Sequence, residues 1–319
     1  MIVPTPPKLI DLIRQESSRP APAGVRALAE ELLERYGDAA QAILFYGSCL
    51  RTGDDSEGLV DLYLLVDNYR AAFGKRTQAM ANELLPPNVF YMEIPFQDRV
   101  VRTKYAVFTL KEFCRGTSMS WFHSYLWGRF AQPAGLLYAR TGQIADQVRA
   151  ALAQAVVTFI TRVLPQLGES FTARELWDRG LLLSYRAELR SERPDNLVHL
   201  FDAASEYYEQ LTRAAMASVP FAVEVGDTAV GYSYQARIPG RVRLRNRLGW
   251  VLRTAQGKVL SLLRLTKAFF TFEGGLEYIQ WKIERHSGAK VEWTPRLKRH
   301  PLLAVCVLSW RLYRKGGFR

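Results

Sequence analysis

The sequence predicts an α/β domain first, a mainly helical domain after it, and a basic amphipathic segment at the carboxyl-terminal end. Three observations carry that prediction. Two short β-rich runs, residues 42–46 and 59–66, flank a glycine-containing polar loop, and a third run, 89–94, follows a helical stretch. Beyond residue 140 the apolar residues return at helical spacing. Residues 237–319 hold 19 Lys and Arg against 4 Asp and Glu, a net of +15, which leaves −3 of the chain's total of +12 for residues 1–236.

Taken in order, residues 25–37 space their apolar side chains for a helix, and Gly37 is a natural stop. The run 42–46 closes on Gly47-Ser48, and with 59–66 it reads as a pair of buried neighbouring strands. Residues 69–85 have a helical pattern ended by Pro86-Pro87, after which 89–94 is a third strand. This order gives a small α/β domain over 1–140. Segments 144–167 and 173–191 are helical, the second opened by Thr172-Ala-Arg-Glu175, in which each of the two outer side chains satisfies a free backbone N–H of the other. The helical domain then occupies 141–236. In the basic segment, residues 259–270 mix Leu260, Leu263 and Leu265 with Arg264 and Lys267 in an amphipathic pattern. Farther on, Leu302, Leu303, Val305, Val307, Leu308 and Trp310 offer apolar surface, and Arg311, Arg314, Lys315 and Arg319 offer charge for an anionic membrane.

Composition narrows the function classes. A chain of 319 residues that is 48% apolar buries a substantial core, and no internal repeat points to a solenoid or propeller. Cys49, Cys114 and Cys306 lie far apart, as do His123, His199, His286 and His300, so a zinc site has no support and any metal is expected on oxygen ligands. Residues 1–9 show no pattern of an export or organelle signal, and the longest late apolar stretch, 302–310, falls short of the roughly 20 residues needed to cross a bilayer. The expectation is a cytoplasmic protein, peripheral on the inner face of a membrane.

The chemistry concentrates in Tyr46-Gly47-Ser48-Cys49-Leu50 and, after the loop, Val60-Asp61-Leu62-Tyr63. A strand ending in Gly-Ser and turning into a helix lets backbone N–H groups approach a triphosphate, and Ser48 adds a hydroxyl. Asp61, on the neighbouring strand, is placed to hold magnesium beside those phosphates. Gly-Ser alone is usually an ordinary turn, and Asp61 could instead pair with a structural arginine; an aspartate in an apolar strand must have one partner or the other. Glu93, on the third strand, is a candidate to complete the metal shell, against the ordinary reading of a solvated edge glutamate. Lys104 and Arg129 are candidate phosphate-binding cations, against the reading of solvated surface charges. Tyr185, Glu188 and Arg190 share one helical neighbourhood that could close the cleft from the second domain.

Gly-Ser before an acidic strand resembles the nucleotidyltransferase fold. That superfamily usually carries a second carboxylate two residues after the first, where this sequence has Tyr63, which argues against its antibiotic-modifying and RNA-polymerising branches. The chain is similar to the mitochondrial-type phosphatidate cytidylyltransferases, the translocator assembly and maintenance family. Tyr46-Gly-Ser48 with the single acid of Asp61-Leu-Tyr-Leu matches that pattern, as do Lys104-Tyr105, Tyr125-Leu-Trp-Gly128-Arg129 with Pro133, and Leu183-Ser-Tyr185 with Glu188-Leu-Arg190. The likeness spans residues 40–200 and departs at Cys49, Leu50, Ala106 and Ala187-Glu188.

The resemblance implies a nucleotidyltransferase domain with a mixed sheet, a winged-helix-like second domain and a membrane-contacting tail. It implies CTP and phosphatidic acid as substrates and magnesium as cofactor. Asp61, Ser48 and Lys104 would be catalytic; Gly47, Ser48, Lys104, Arg129, Tyr185 and Arg190 would bind the nucleotide; Asp61 and Glu93 would hold the metal. Two readings stay open beside this one: an enzyme of the same fold with a soluble or nucleic-acid acceptor, and a binding protein of that fold without catalysis.

Overall fold

A computed structural model of the chain describes residues 6–56, 58–188, 195–228 and 231–271. Arg190 and the apolar and basic residues expected to anchor the tail between 302 and 319 lie outside the described residues. Helices α1 (Pro7–Ser17) and α2 (Ala23–Tyr36) come first, and α2 ends at Gly37, whose positive φ lets the chain turn into β1 (Ala40–Tyr46). A one-turn helix α3 (Ser48–Thr52) leads to β2 (Val60–Val66), and the segment expected as one helix is two, α4 (Tyr69–Ala72) and α5 (Arg76–Leu84), separated around Gly74. The strands β3 (Asn88–Phe96) and β4 (Arg99–Thr109) form a hairpin, followed by α6 (Leu110–Thr117), α7 (Trp127–Phe130) and β5 (Gly135–Ala139).

These five strands form one sheet in the order β3-β4-β2-β1-β5, with β2 parallel to β4 and the other neighbours antiparallel, so the sheet is mixed as expected. Its central strands are buried on both faces, which is why their sequences are almost continuously apolar rather than alternating. Ile43, Phe45, Leu62, Leu64 and Val107 pack with α2 residues Val25, Leu28 and Leu32 on one face. Leu44, Tyr46, Tyr63, Leu65 and Phe108 pack on the other face with the helix α8 (Gly142–Val163). The helical stretch Gly142–Gln166 is long and apolar enough to cross a membrane by composition, yet 78% of that apolar stretch is buried inside the protein as its core helix.

The region expected to be mainly helical also contains a small antiparallel sheet. After α8 come β6 (Ser170–Thr172), α9 (Ala173–Arg186), α10 (Asp195–Asp202), α11 (Ser205–Ala215), β7 (Val223–Thr228) and β8 (Gly231–Ala236), with the strands in the order β6-β8-β7. The expected cap of α9 is present, with Thr172 and Glu175 exchanging side-chain and backbone hydrogen bonds. Trp177 stacks on Phe159 of α8 at 4.7 Å between ring centres and donates its indole N–H to Thr212 of α11 at 2.8 Å, locking three helices together.

The basic segment begins as α12 (Gly240–Thr271), a helix of 32 residues that returns across the body. Trp250 meets Trp127 edge-on at 5.7 Å, and Arg253 is buried with its guanidinium donating to the Phe122 carbonyl at 2.9 Å. At Gly257 an added Cβ would fall 1.9 Å from the Ala187 carbonyl oxygen, so only glycine lets α12 cross the end of α9 this closely. Helix α12 is amphipathic, but two of the cations in the expected pattern point inward: Arg264 donates to the Pro86 carbonyl at 2.7 Å and Lys267 to the Pro87 carbonyl at 2.9 Å.

Candidate active site

The pairing of the strands builds the site. Antiparallel register sets Tyr46, the last residue of β1, opposite Asp61, and the parallel register of β2 with β4 sets Asp61 beside Lys104. Lys104 lies within β4, which is what brings its Nζ to 3.0 Å from Asp61 Oδ1. The partner of Asp61 is therefore a lysine rather than a structural arginine. Gly47 adopts φ +99, and a Cβ there would meet Asp61 Oδ2 at 2.6 Å, so the turn folds directly over the carboxylate and requires glycine twice over. Ser48 opens α3, which spans only five residues, so its dipole adds little to the field of the turn itself.

A cavity of about 370 Å³ opens here and is lined by Gly47, Ser48, Asp61, Lys104, Arg129 and Tyr185, together with Tyr46, Arg51, Tyr63 and Tyr125. The fold thus gathers candidates from β1, β2, β4, α7 and α9 at one place. Glu93 is not among the lining residues: its carboxylate receives the Tyr91 hydroxyl at 2.9 Å and pairs with Arg102 at 3.3 Å. Glu188, which lies just beyond α9, pairs with Arg129 at 2.8 Å, and both side chains are about nine-tenths buried.

The electrostatics follow from burial. Tyr63, at the place where a paired acid would stand, packs edge-on against Phe130 at 4.8 Å, and burial raises its phenol pKa well above the ordinary value, so it is uncharged. His123 accepts from the Tyr125 N–H at 3.2 Å, and burial beside Arg264 pushes its pKa down to about 4. Among the described residues, the lone carboxylate on the cavity wall is Asp61.

Among the described residues no cluster of three His, Cys, Asp or Glu forms a metal cage. The donor set nevertheless fits magnesium bound as a nucleotide complex, because magnesium keeps water and phosphate oxygens and takes only one or two carboxylates from the protein. Asp61 Oδ2 under the Gly47 turn and the hydroxyl of Ser48 are the groups placed for that role.

Residues 66–220 match the model of the family described as phosphatidate cytidylyltransferase, mitochondrial. That match covers 155 of the chain's 319 residues and supports the resemblance read from the sequence. A search of curated proteins gave no match. The chain is accordingly a nucleotidyltransferase enzyme, and the matched segment contains Lys104, Tyr125, Arg129, Tyr185 and Glu188. Gly47, Ser48 and Asp61 precede it, and the strand register and the shared cavity bring them together with those residues. Sequence reasoning missed Arg264, whose guanidinium carbon lies 4.6 Å from the centre of the Tyr125 ring. No local signal marks it, since it reaches Tyr125 from a helix more than a hundred residues away in the chain.

Proposed function

We propose that the protein transfers the cytidylyl group of CTP to phosphatidate at an anionic membrane surface, giving CDP-diacylglycerol and pyrophosphate. The observation that carries this reading is the convergence in one cavity of the Gly47-Ser48 turn, Asp61 and Lys104 with Arg129 and Tyr185, in a chain whose residues 66–220 match the cytidylyltransferase family. A phosphatidate phosphate oxygen attacks the α-phosphorus of CTP in line; a P–O bond forms there, and the bond to the β-phosphate oxygen breaks. The turn at Gly47 and the Ser48 hydroxyl hold the departing pyrophosphate, and Lys104 offsets its growing charge. Asp61 and Ser48 would hold magnesium, which supplies Lewis-acid neutralisation of phosphate oxygens.

The membrane reading draws support from α12. Leu244, Leu248, Val251, Leu252, Val259, Leu262 and Leu263 are all exposed on this helix at helical spacing, with Arg241, Arg245 and Lys258 exposed among them. A contiguous apolar stripe edged by cations suits a helix lying in the plane of an anionic bilayer. A cytoplasmic, inner-face location remains part of this proposal.

The test is turnover by purified protein with magnesium, each of the four ribonucleoside triphosphates and phosphatidate in mixed micelles. CDP-diacylglycerol is expected from CTP, with a loss of at least about 100-fold in Asp61→Ala, the scale seen when one stabilising group is removed from a transition state. A folded, nucleotide-binding protein that gives no lipid product with any of the four would overturn the reading.

A further inference from the structure

Two guanidinium groups converge on one phenol ring at the wall of the cavity. The Arg129 guanidinium carbon is 4.2 Å from the centre of the Tyr125 ring and that of Arg264 is 4.6 Å from it. Among the described residues one carboxylate, Glu188, stands against the two, bonded to Arg129 Nη2 at 2.8 Å. Tyr63 and His123 beside them are uncharged at neutral pH because burial opposes their ionisation. The cluster therefore keeps an excess positive charge in a place largely shut off from water, which is costly without an anion. Arg129 Nη1 is buried and has no hydrogen-bond partner among the described residues, although the residue lines the cavity. A rigid guanidinium with one edge held by a carboxylate and another edge unsatisfied is suited to an oxyanion.

We propose that Arg129 and Arg264 form the subsite for the phosphate monoester of the acceptor, a lipid headgroup presented from the bilayer. This deepens the proposed function and rests on it. The triphosphate already has the Gly47-Ser48 turn and Lys104. Arg264 arrives on the helix whose outer side carries the apolar stripe, so one element joins that stripe to the Tyr125 ring, which lines the cavity. A monoester carries close to two negative charges at neutral pH, a phosphodiester only one, so the paired arginines favour phosphatidate over the bulk phospholipids around it.

Calorimetric titration of the full chain, loaded with magnesium and a non-hydrolysable CTP analogue, with soluble dihexanoyl phosphatidate tests this. Saturable binding is expected, weakened at least about tenfold in Arg264→Gln, the scale for loss of one charge-assisted hydrogen bond. Lys267→Met removes the neighbouring anchor of α12 on the same loop; it should change binding less than about threefold, as expected when no phosphate contact is lost. Dihexanoyl phosphatidylglycerol should not compete, and inorganic phosphate should compete only weakly. Equal weakening in Arg264→Gln and Lys267→Met would reduce Arg264 to a clamp for the helix and overturn the subsite. An equal rise in the dissociation constant of the nucleotide analogue would assign the arginines to the triphosphate, and strong competition by inorganic phosphate would remove the lipid headgroup as the ligand. Normal CDP-diacylglycerol formation with an unchanged KM for phosphatidate in Arg264→Gln sinks the subsite alone. Arg264-dependent binding without any lipid product sinks the reaction alone.

Discussion

His123 shows what burial does to a single side chain beside this site. Its imidazole accepts from the Tyr125 N–H and is surrounded by Arg264, Glu188 and Arg129, and its pKa falls to about 4 from 6.5. The folded state thus binds this proton less tightly than the unfolded chain. The stability it contributes is fully present above pH 6.5 and is lost as pH falls through about 4. Wild type should lose on the order of 3 kcal/mol more than His123→Phe between pH 7 and pH 4. Denaturant unfolding of the two proteins across that range measures the difference; parallel curves would show that another group carries the acid sensitivity. Of the residues on the cavity wall, Gly47, Ser48 and Asp61 were legible because a Gly-Ser turn and a lone acid in an apolar strand are unusual locally. Lys104, Arg129 and Tyr185 were legible only through family likeness, since residue type alone does not distinguish them from surface groups. The ion pair of Arg129 with Glu188 joins α7 to the chain just past α9, and no local pattern encodes a contact of that range.

At the scale of elements, α12 is the most consequential departure from expectation. Its Leu, Arg and Lys composition announced an amphipathic helix, but not which cations face the body; that depends on carbonyls at Pro86 and Pro87 that only the folded loop presents. Gly257 sets how closely the helix sits. Gly257→Val should displace α12 at a cost of about 1–3 kcal/mol, the usual range for overpacking. Limited proteolysis would report it as earlier cleavage within residues 240–271, and an unchanged digestion pattern would count against the close contact. The outward stripe makes a separate prediction. Val251→Glu with Leu252→Glu should reduce sedimentation with anionic vesicles at least about tenfold, since each buried aliphatic side chain is worth roughly 1.5–3 kcal/mol. Undiminished sedimentation would move the anchor elsewhere. Strand β4 was harder to foresee than β1 or β2, because Arg99, Arg102 and Lys104 break its apolar run. The small sheet was hidden for a related reason: β6 has three residues, and β7 and β8 interrupt their apolar residues with glycine and polar ones.

Across the whole molecule, one hydrophobic cluster links the first sheet to the second. It contains Leu44 and Phe108 from the mixed sheet, Phe159 and Trp177 from the helices, and Tyr234 from β8. Trp177→Ala should therefore cost about 3–5 kcal/mol, the range for a large aromatic removed from a core. Hydrogen exchange should quicken in β1 and β2 along with α9; protection lost in α9 alone would show that the two regions unfold independently. The charge asymmetry was plain in the sequence, and the fold adds where the part of it carried by α12 sits. That exposed row of leucines and valines has a colloidal consequence as well. In dilute buffer the row meets water along the helix, and the same surface energy that favours an interface favours any other apolar body, including detergent, air at a bubble surface or a sister molecule. Solubility of the purified protein will then depend on the amphiphile supplied with it more than on its large positive charge, and its apparent activity will follow how well that amphiphile keeps molecules apart.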